Sequence, residues 1–122
     1  MIAFSIPGRA PATSSPNSRV NWRVRHAAGK EYAELVTLLA QSAKPPGWGL
    51  GSHARAVVTF TQYAVRLRDH DNFAASMKPA LDAIVRAGIL SDDNPGVIDL
   101  VLKAVKVSKT TDERVEVTIK GP

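Results

Sequence analysis

Alternation of apolar and polar residues predicts four β-strands in this chain. The first covers residues 2–6 and stops at Pro7-Gly8. A longer strand, residues 55–67, is rich in β-branched and aromatic side chains. The last two strands, residues 97–109 and 114–120, alternate on either side of a short polar turn, and this arrangement predicts a hairpin.

Two further segments carry apolar residues at helical spacing. In residues 30–44 they recur at i, i+3, i+4 and i+7, the pattern of an amphipathic helix, and Pro45-Pro46-Gly47 ends it. A second helix has its apolar stripe within residues 81–88. Ser76 as its N-cap would place Pro79 in the first turn, where the missing N–H costs no hydrogen bond.

The resulting order, β-α-β-α-β-β, predicts an α/β (α+β) fold in which one mixed four-stranded sheet packs against two helices. A chain of 122 residues is long enough for one such domain, residues 1–122, and too short for two. The segment from about residue 8 to residue 28 is basic, and its first part is rich in Pro and Ser. We expect it to be a mobile loop that a ligand could order.

Cysteine content and the N-terminal sequence exclude several classes of protein. No cysteine is present, so the chain offers no disulfide and no thiolate for a metal or a nucleophile. The N-terminus lacks a basic region before its apolar run, and no apolar stretch approaches the length of a membrane span. These features predict a cytoplasmic protein without a membrane segment.

The charges are unevenly distributed, and their distribution suggests a polyanionic partner. Residues 1–30 contain no acid, whereas five of the eleven acids of this chain of net charge +5 lie between Asp69 and Asp93. Basic flanks around an acidic centre favour a polyanion such as DNA held beside a metal ion. The basic residues expected to contact phosphates are Arg19, Arg23, Arg25, Lys103, Lys106 and Lys109.

Three aspartates of the acidic centre form a candidate metal site. If extended geometry continues past the long strand, Asp69 and Asp71 point to the same side, roughly 6–7 Å apart. Asp93 follows the second helix, which at about 15 Å in length could return the chain to the pair. Three converging carboxylates suit Mg²⁺, which Mn²⁺ could replace. Lys78, near the start of the second helix, could face the same site.

A divalent metal at this position would favour hydrolysis of a phosphodiester. The metal would polarise a phosphoryl oxygen and lower the pKa of a bound water, while Lys78 would stabilise the charge of the transition state. An EF-hand loop that begins at Asp69 is disfavoured, because its twelfth residue is Ala80 rather than Glu. A simpler interpretation stays open, since an acidic turn such as residues 91–96 is most often only a turn.

Several motifs, in order along the chain, resemble the RusA family of Holliday-junction resolvases. They are R-D-H-D-N at residues 68–72, K-P-A-L-D-A at 78–83, A-G at 87–88 and D-D at 92–93. The similarity covers about residues 66–107. The chain departs from the family pattern in one place, because the insertion FAASM separates Asn72 from Lys78.

The resemblance implies metal ligands at Asp69, Asp71 and Asp93 and a catalytic lysine at Lys78. It also implies Mg²⁺-dependent, paired incision of four-way DNA junctions by a homodimer of bacterial or phage origin. We therefore expect a metal-dependent endonuclease that resolves Holliday junctions in DNA recombination and repair. Two alternatives stay open, namely a junction-binding protein without catalysis and a nuclease that acts on flaps or forks.

Overall fold

The computed structural model describes residues 1–11, 22–48, 55–91 and 96–121, and for residues 22–25 only the backbone. The predicted α+β fold and order of elements are confirmed, with the second helical segment divided in two. The elements are β1 (Ile2–Pro7), α1 (Trp22–Ala43), β2 (Ala56–Ala64), α2 (His70–Ser76), α3 (Lys78–Arg86), β3 (Ile98–Lys106), a 3₁₀ turn (Thr110–Asp112) and β4 (Arg114–Lys120). Within the described ranges, no helix is long and apolar enough to cross a membrane.

The four strands form one mixed sheet in the order β1-β4-β2-β3. β4 lies between β1 and β2 and is antiparallel to both, while β3 is parallel to β2. The predicted hairpin of the last two strands is therefore wrong, because β3 and β4 are on opposite sides of β2. The physical reason is that a strand–helix–strand crossover returns β3 parallel to β2 and leaves β4 to pair on the other side.

The helices cover one face of the sheet, and the core lies between them and the sheet. α1 packs against α3 and β1. On this face Phe60 of β2 and Val117 of β4 are register partners, and both are buried. Burying a side chain of this kind stabilises the fold by about 1.5–3 kcal/mol. The buried strand residues that share this face are Ile2, Ile6, Ala56, Val58, Phe60, Gln62, Ala64, Ile98, Val115, Val117 and Ile119.

The opposite face of the sheet, which we call the open face, carries the alternate residues of the same strands. Thr59, Thr61, Val101 and Thr118 lie on it and are only partly buried. The burial of β2 alternates strictly along its length, and this pattern indicates that the described helices lie on one side only. Within the described ranges, no helix covers the open face.

Several boundaries differ from the sequence-based prediction, and β3 ends at Lys106 rather than at residue 109. α1 begins at Trp22, so residues 22–28 of the expected loop are helical, while residues 12–21 lie outside the described part of the chain. β2 ends at Ala64, before the expected end of the long strand. The early start of α1 escaped prediction because its first residues lack the regular apolar spacing that marks the rest of the helix.

The second helical segment consists of two helices that meet at Met77. α2 was not predicted, and the N-cap of α3 is Met77 rather than Ser76. Ser76 cannot act as that cap because it is buried at the end of α2, where its hydroxyl donates to the carbonyl of Phe73 (2.7 Å). Pro79 lies in the first turn of α3, as predicted.

α3 ends at a glycine that the backbone requires. Gly88 has φ of 79°, a left-handed conformation that residues with a side chain rarely adopt. The next residue, Ile89, is buried, and its carbonyl accepts a hydrogen bond from the indole N–H of Trp48 (3.0 Å). This contact ties the segment after α1 to the end of α3.

Candidate active site

Asp69 is the N-cap of α2, the helix that follows β2. Its backbone is extended, and its carboxylate accepts hydrogen bonds from the backbone N–H of Asn72 (2.8 Å) and from the Asn72 side-chain amide (2.8 Å). Aspartate is a preferred N-cap because its oxygen satisfies a helix N–H that otherwise lacks a partner. The spacing of Asp69 and Asn72 therefore has a structural cause, and it holds an exposed carboxylate in one orientation.

Asp71 lies in the first turn of α2 and is exposed. The chain does not stay extended from Asp69 to Asp71, so the same-side geometry predicted from a strand is wrong. Residues two apart on a helix do not face each other. What the two carboxylates share is the N-terminal end of α2, where the helix dipole favours negative groups.

The third predicted ligand, Asp93, lies outside the described residues. β3, which follows it in sequence, begins beside the start of β2, since Ile98 pairs with Ala56 and the carbonyl of Val97 accepts from Ala56 N (2.9 Å). Asp69 follows the other end of β2, a nine-residue strand roughly 30 Å long. The expected return of Asp93 to the pair falls on residues outside the described part of the chain and stays a prediction. Among the described residues, no three side chains are grouped as metal ligands.

Lys78 is the first residue of α3, and its ammonium lies 3.5 Å from the carboxylate of Asp82, one helical turn further on. Both side chains are about half exposed. The insertion FAASM that precedes Lys78 is not a loop, because its residues complete α2 and bury Phe73, Ser76 and Met77. Lys78 is thus separated from Asp71 by the rest of α2 and one junction residue.

Sequence reasoning gave no role to two arginines close to Asp69. The backbone of Arg68 exchanges hydrogen bonds with the side-chain amide of Gln62 (3.0 and 2.9 Å), and its half-buried guanidinium donates to the carbonyl of Ala10. Burial and the charge of Arg9 lower the pKa of Arg68. A half-buried guanidinium with an exposed one beside it forms a favourable place for an anion.

Arg9, Arg68 and Arg114 line one pocket at the end of β2, which we call the arginine pocket. Arg114 stacks on the ring of Tyr63, 3.9 Å from its centroid, and forms an ion pair with Glu116 (3.0 Å). Its charge is therefore partly neutralised, whereas no acid forms an ion pair with Arg9 or Arg68 among the described residues. The pocket is basic and lies at the same end of β2 as the acidic start of α2.

The predicted phosphate contacts are spread over several surfaces. Lys103 and Lys106 lie three residues apart on β3 and so point to opposite faces of the sheet, and Lys109 precedes the 3₁₀ turn. All three are exposed. Lys103 is on the open face and Lys106 is on the helix side. The side chains of the three predicted arginines lie outside the described part of the chain: Arg19, Arg23 and Arg25.

No family model matches this sequence, and no curated protein matches it. The resemblance to the RusA family therefore rests on the order and spacing of its motifs alone. The structure contributes two further observations: two exposed carboxylates lie at the start of α2, and the arginine pocket lies at the same end of β2.

Proposed function

We propose that this chain is a divalent-metal-dependent endonuclease that cuts branched DNA, four-way junctions in particular, as a homodimer. The observation that carries the proposal is the juxtaposition, at one end of β2, of the exposed carboxylates Asp69 and Asp71 with the arginine pocket. Carboxylates suit a hard cation, and guanidinium groups suit phosphate. Binding of a DNA backbone beside a metal ion needs both carboxylates for the metal and guanidinium groups for the phosphates.

The carboxylates of α2 fit Mg²⁺ or Mn²⁺ in their chemistry. Asp69 keeps oxygen lone pairs beyond those bonded to Asn72, and Asp71 is exposed. Asp69, Asp71 and, on the resemblance, Asp93 would hold the ion. A bound divalent metal supplies a polarised phosphoryl oxygen and a water of lowered pKa. The amide of Asn72 would keep the Asp69 carboxylate oriented throughout.

Basic side chains would position the DNA substrate and stabilise its negative charge. Arg68 uses one guanidinium nitrogen on Ala10, which leaves other N–H groups for a phosphate oxygen. Lys78 would stabilise the charge of the transition state as a point charge, without transferring a proton. Lys106 and Lys109 would hold the DNA backbone without reading its sequence.

The proposal is tested by incubating the protein with a labelled four-way junction and, separately, with a linear duplex, a flap and a fork of matched sequence. We expect paired nicks in the junction with Mg²⁺ or Mn²⁺, an intact duplex, and no incision with EDTA. Tight binding of the junction without incision in either metal would overturn the proposed endonuclease activity and favour a junction-binding protein without catalysis. Preferred cutting of flaps or forks would keep the chemistry and change the substrate.

Asp71→Asn tests the site itself. The variant removes an anionic oxygen from an exposed position, so incision should fall by at least the roughly 10–100-fold typical of residues that only support a metal ligand. Binding to the junction should change little, because it rests on Lys and Arg. Glu34→Gln removes the same charge from the exposed surface of α1 and should cut at the normal rate. Normal cutting by Asp71→Asn would refute this site.

A further inference from the structure

β3 is an edge strand of the sheet, and among the described residues no strand lies beyond it. It is nine residues long and pairs with β2 without a bulge from Ile98 to Lys106. Leu100 and Val105 are each 41% exposed on this strand. A long, regular edge with exposed apolar side chains is a template for pairing with a further strand.

The hydrogen-bonding groups at this edge can be assigned from the contacts between β2 and β3. The carbonyl of Val97 accepts from Ala56 N (2.9 Å), and Val107 N donates to the carbonyl of Ala64 (3.0 Å). Odd-numbered residues of β3 therefore direct their N–H and C=O groups to β2. Successive residues of a strand direct these groups to opposite sides, so the even-numbered residues of β3 direct theirs outward.

We propose that this outer edge pairs antiparallel with the same edge of a second copy of the chain, about a two-fold axis at Val101. Two copies would then share one continuous eight-stranded sheet, with the helices of both on the same side. Leu100 would face Leu102 of the second copy in a hydrogen-bonded pair. Asp99 would face Lys103 of the second copy in a non-hydrogen-bonded pair, where side chains approach most closely.

The side chains select this register over its neighbours. With the axis at Val101, Asp99 and Lys103 are opposite each other twice, once on each side of the axis, and the other pairs between residues 97 and 105 are apolar. Moving the axis by one residue in either direction places both Asp99 and Lys103 opposite valines. The facing pairs in the proposed register are Val97–Val105, Ile98–Ala104, Asp99–Lys103, Leu100–Leu102 and Val101–Val101.

The existing partner of Asp99 is compatible with the pairing. Arg55 binds the Asp99 carboxylate through two nitrogens, and both side chains are about half exposed. A carboxylate has about four lone-pair positions, so it can accept from Lys103 of the second copy as well. A lysine on an edge strand normally discourages pairing, but here an acid stands opposite it, so Lys103 would favour one register.

This pairing does not depend on endonuclease activity. A dimer joined through β3 that does not cut DNA would leave the pairing intact, and a dimer that cuts but joins elsewhere would leave the proposed function intact. It assigns Lys103 to the contact between copies rather than to DNA phosphates. Lys106 and Lys109 keep their proposed contacts with the DNA backbone. Lys103→Glu is therefore expected to change the oligomeric state first, which a residue that only contacts DNA would not do.

A charge-exchange experiment tests the register. Asp99→Lys alone and Lys103→Glu alone each place like charges opposite each other, so each variant should associate with itself about tenfold more weakly, equivalent to about 1.4 kcal/mol. An equimolar mixture should associate normally, because each chain then meets the opposite charge. Sedimentation and light scattering measure the association. Lys109→Glu, which lies beyond β3, should associate as the unaltered chain does.

A cysteine at the axis gives an independent readout. The chain has no cysteine, so Val101→Cys introduces one thiol, which would meet its own copy with about 4.5 Å between Cα atoms, within disulfide reach. Mild oxidation should give a disulfide-linked dimer, whereas Ala3→Cys, exposed on β1, should stay unlinked. A monomeric unaltered chain, a mixture no stronger than its components, or an unlinked Val101→Cys dimer would each overturn the proposal. If Asp99→Lys does not fold, the cysteine result decides.

Discussion

α2 and α3 are consecutive helices, yet they differ in what they bury and what they expose. α3 packs against α1 and buries Ala80, Leu81, Ala83 and Ile84 along one stripe. α2 is seven residues long, buries only two of them and presents its acidic start to solvent. A helix of this length is not stable in water on its own. α3 is therefore a structural element, whereas α2 depends on its cap and its two buried residues to hold the carboxylates of the proposed site.

Ile84→Ala tests the structural role of α3 and should have the largest effect on stability. Ile84 is fully buried on α3, the helix that packs against α1. Its truncation should lower the free energy of unfolding by about 2–5 kcal/mol. Chemical denaturation measures the loss, and junction cutting per folded molecule should be unchanged.

Val85→Ala is the matched control for Ile84→Ala. Val85 is the next residue of α3 and is only partly buried, so it should lose distinctly less stability. Equal losses for the two variants would contradict the assignment of one buried stripe. A loss of cutting in folded Ile84→Ala would mean that α3 acts on the site as well as on the core.

The same comparison shows what the sequence could reveal of the fold. α3 was predictable because its stripe repeats at 3.6 residues, and β2 and β4 were predictable because their burial alternates. α2 was missed because seven residues give almost no period, and Asp69, its cap, was interpreted only as a ligand. The hairpin of β3 and β4 was wrong because alternation shows that a strand exists but not which strand it pairs with.

The candidate site was predictable in its chemistry but not in its geometry. The carboxylates of Asp69 and Asp71 follow from the residue types, whereas their placement depends on a helix that the sequence did not predict. Arg68 was not among the predicted site residues, because its setting comes from Ala10, 58 positions away in sequence, and from the charge of Arg9. Contacts at such separations are not encoded in local patterns.

Asp69 is both the N-cap of α2 and a proposed metal ligand, and two substitutions separate these roles. Asp69→Ala removes the cap and the ligand, so the chain should lose about 0.5–2 kcal/mol of stability together with cutting. Asp69→Asn keeps an oxygen that accepts from Asn72 N, and the Asn72 amide can rotate to meet the new side chain. Its stability should therefore be close to normal while cutting is lost. Thermal unfolding and junction assays on both variants measure the two roles.

Two results would contradict this account of Asp69. If Asp69→Ala unfolds at the same temperature as the unaltered chain, the cap does not stabilise α2. If Asp69→Asn cuts junctions at the normal rate, the carboxylate is a structural cap alone, and the resemblance to a metal motif is coincidental at this position.

Substitution of Lys78 should have the smallest effect on stability. It tests whether the first residue of α3 belongs to the proposed site on α2. Its ion pair with Asp82 is exposed and spans one turn, so Lys78→Gln should change the free energy of unfolding by only about 0.3–0.5 kcal/mol. If Lys78 stabilises the transition state, the same variant should cut far more slowly while binding the junction nearly as well. Asp82→Asn removes the same ion pair from the other side and should cut normally. Equal cutting by both variants would mean that Lys78 has no catalytic role. The electrostatic stabilisation of the transition state would then be assigned to Arg68 and Arg9, which line one pocket at the end of β2.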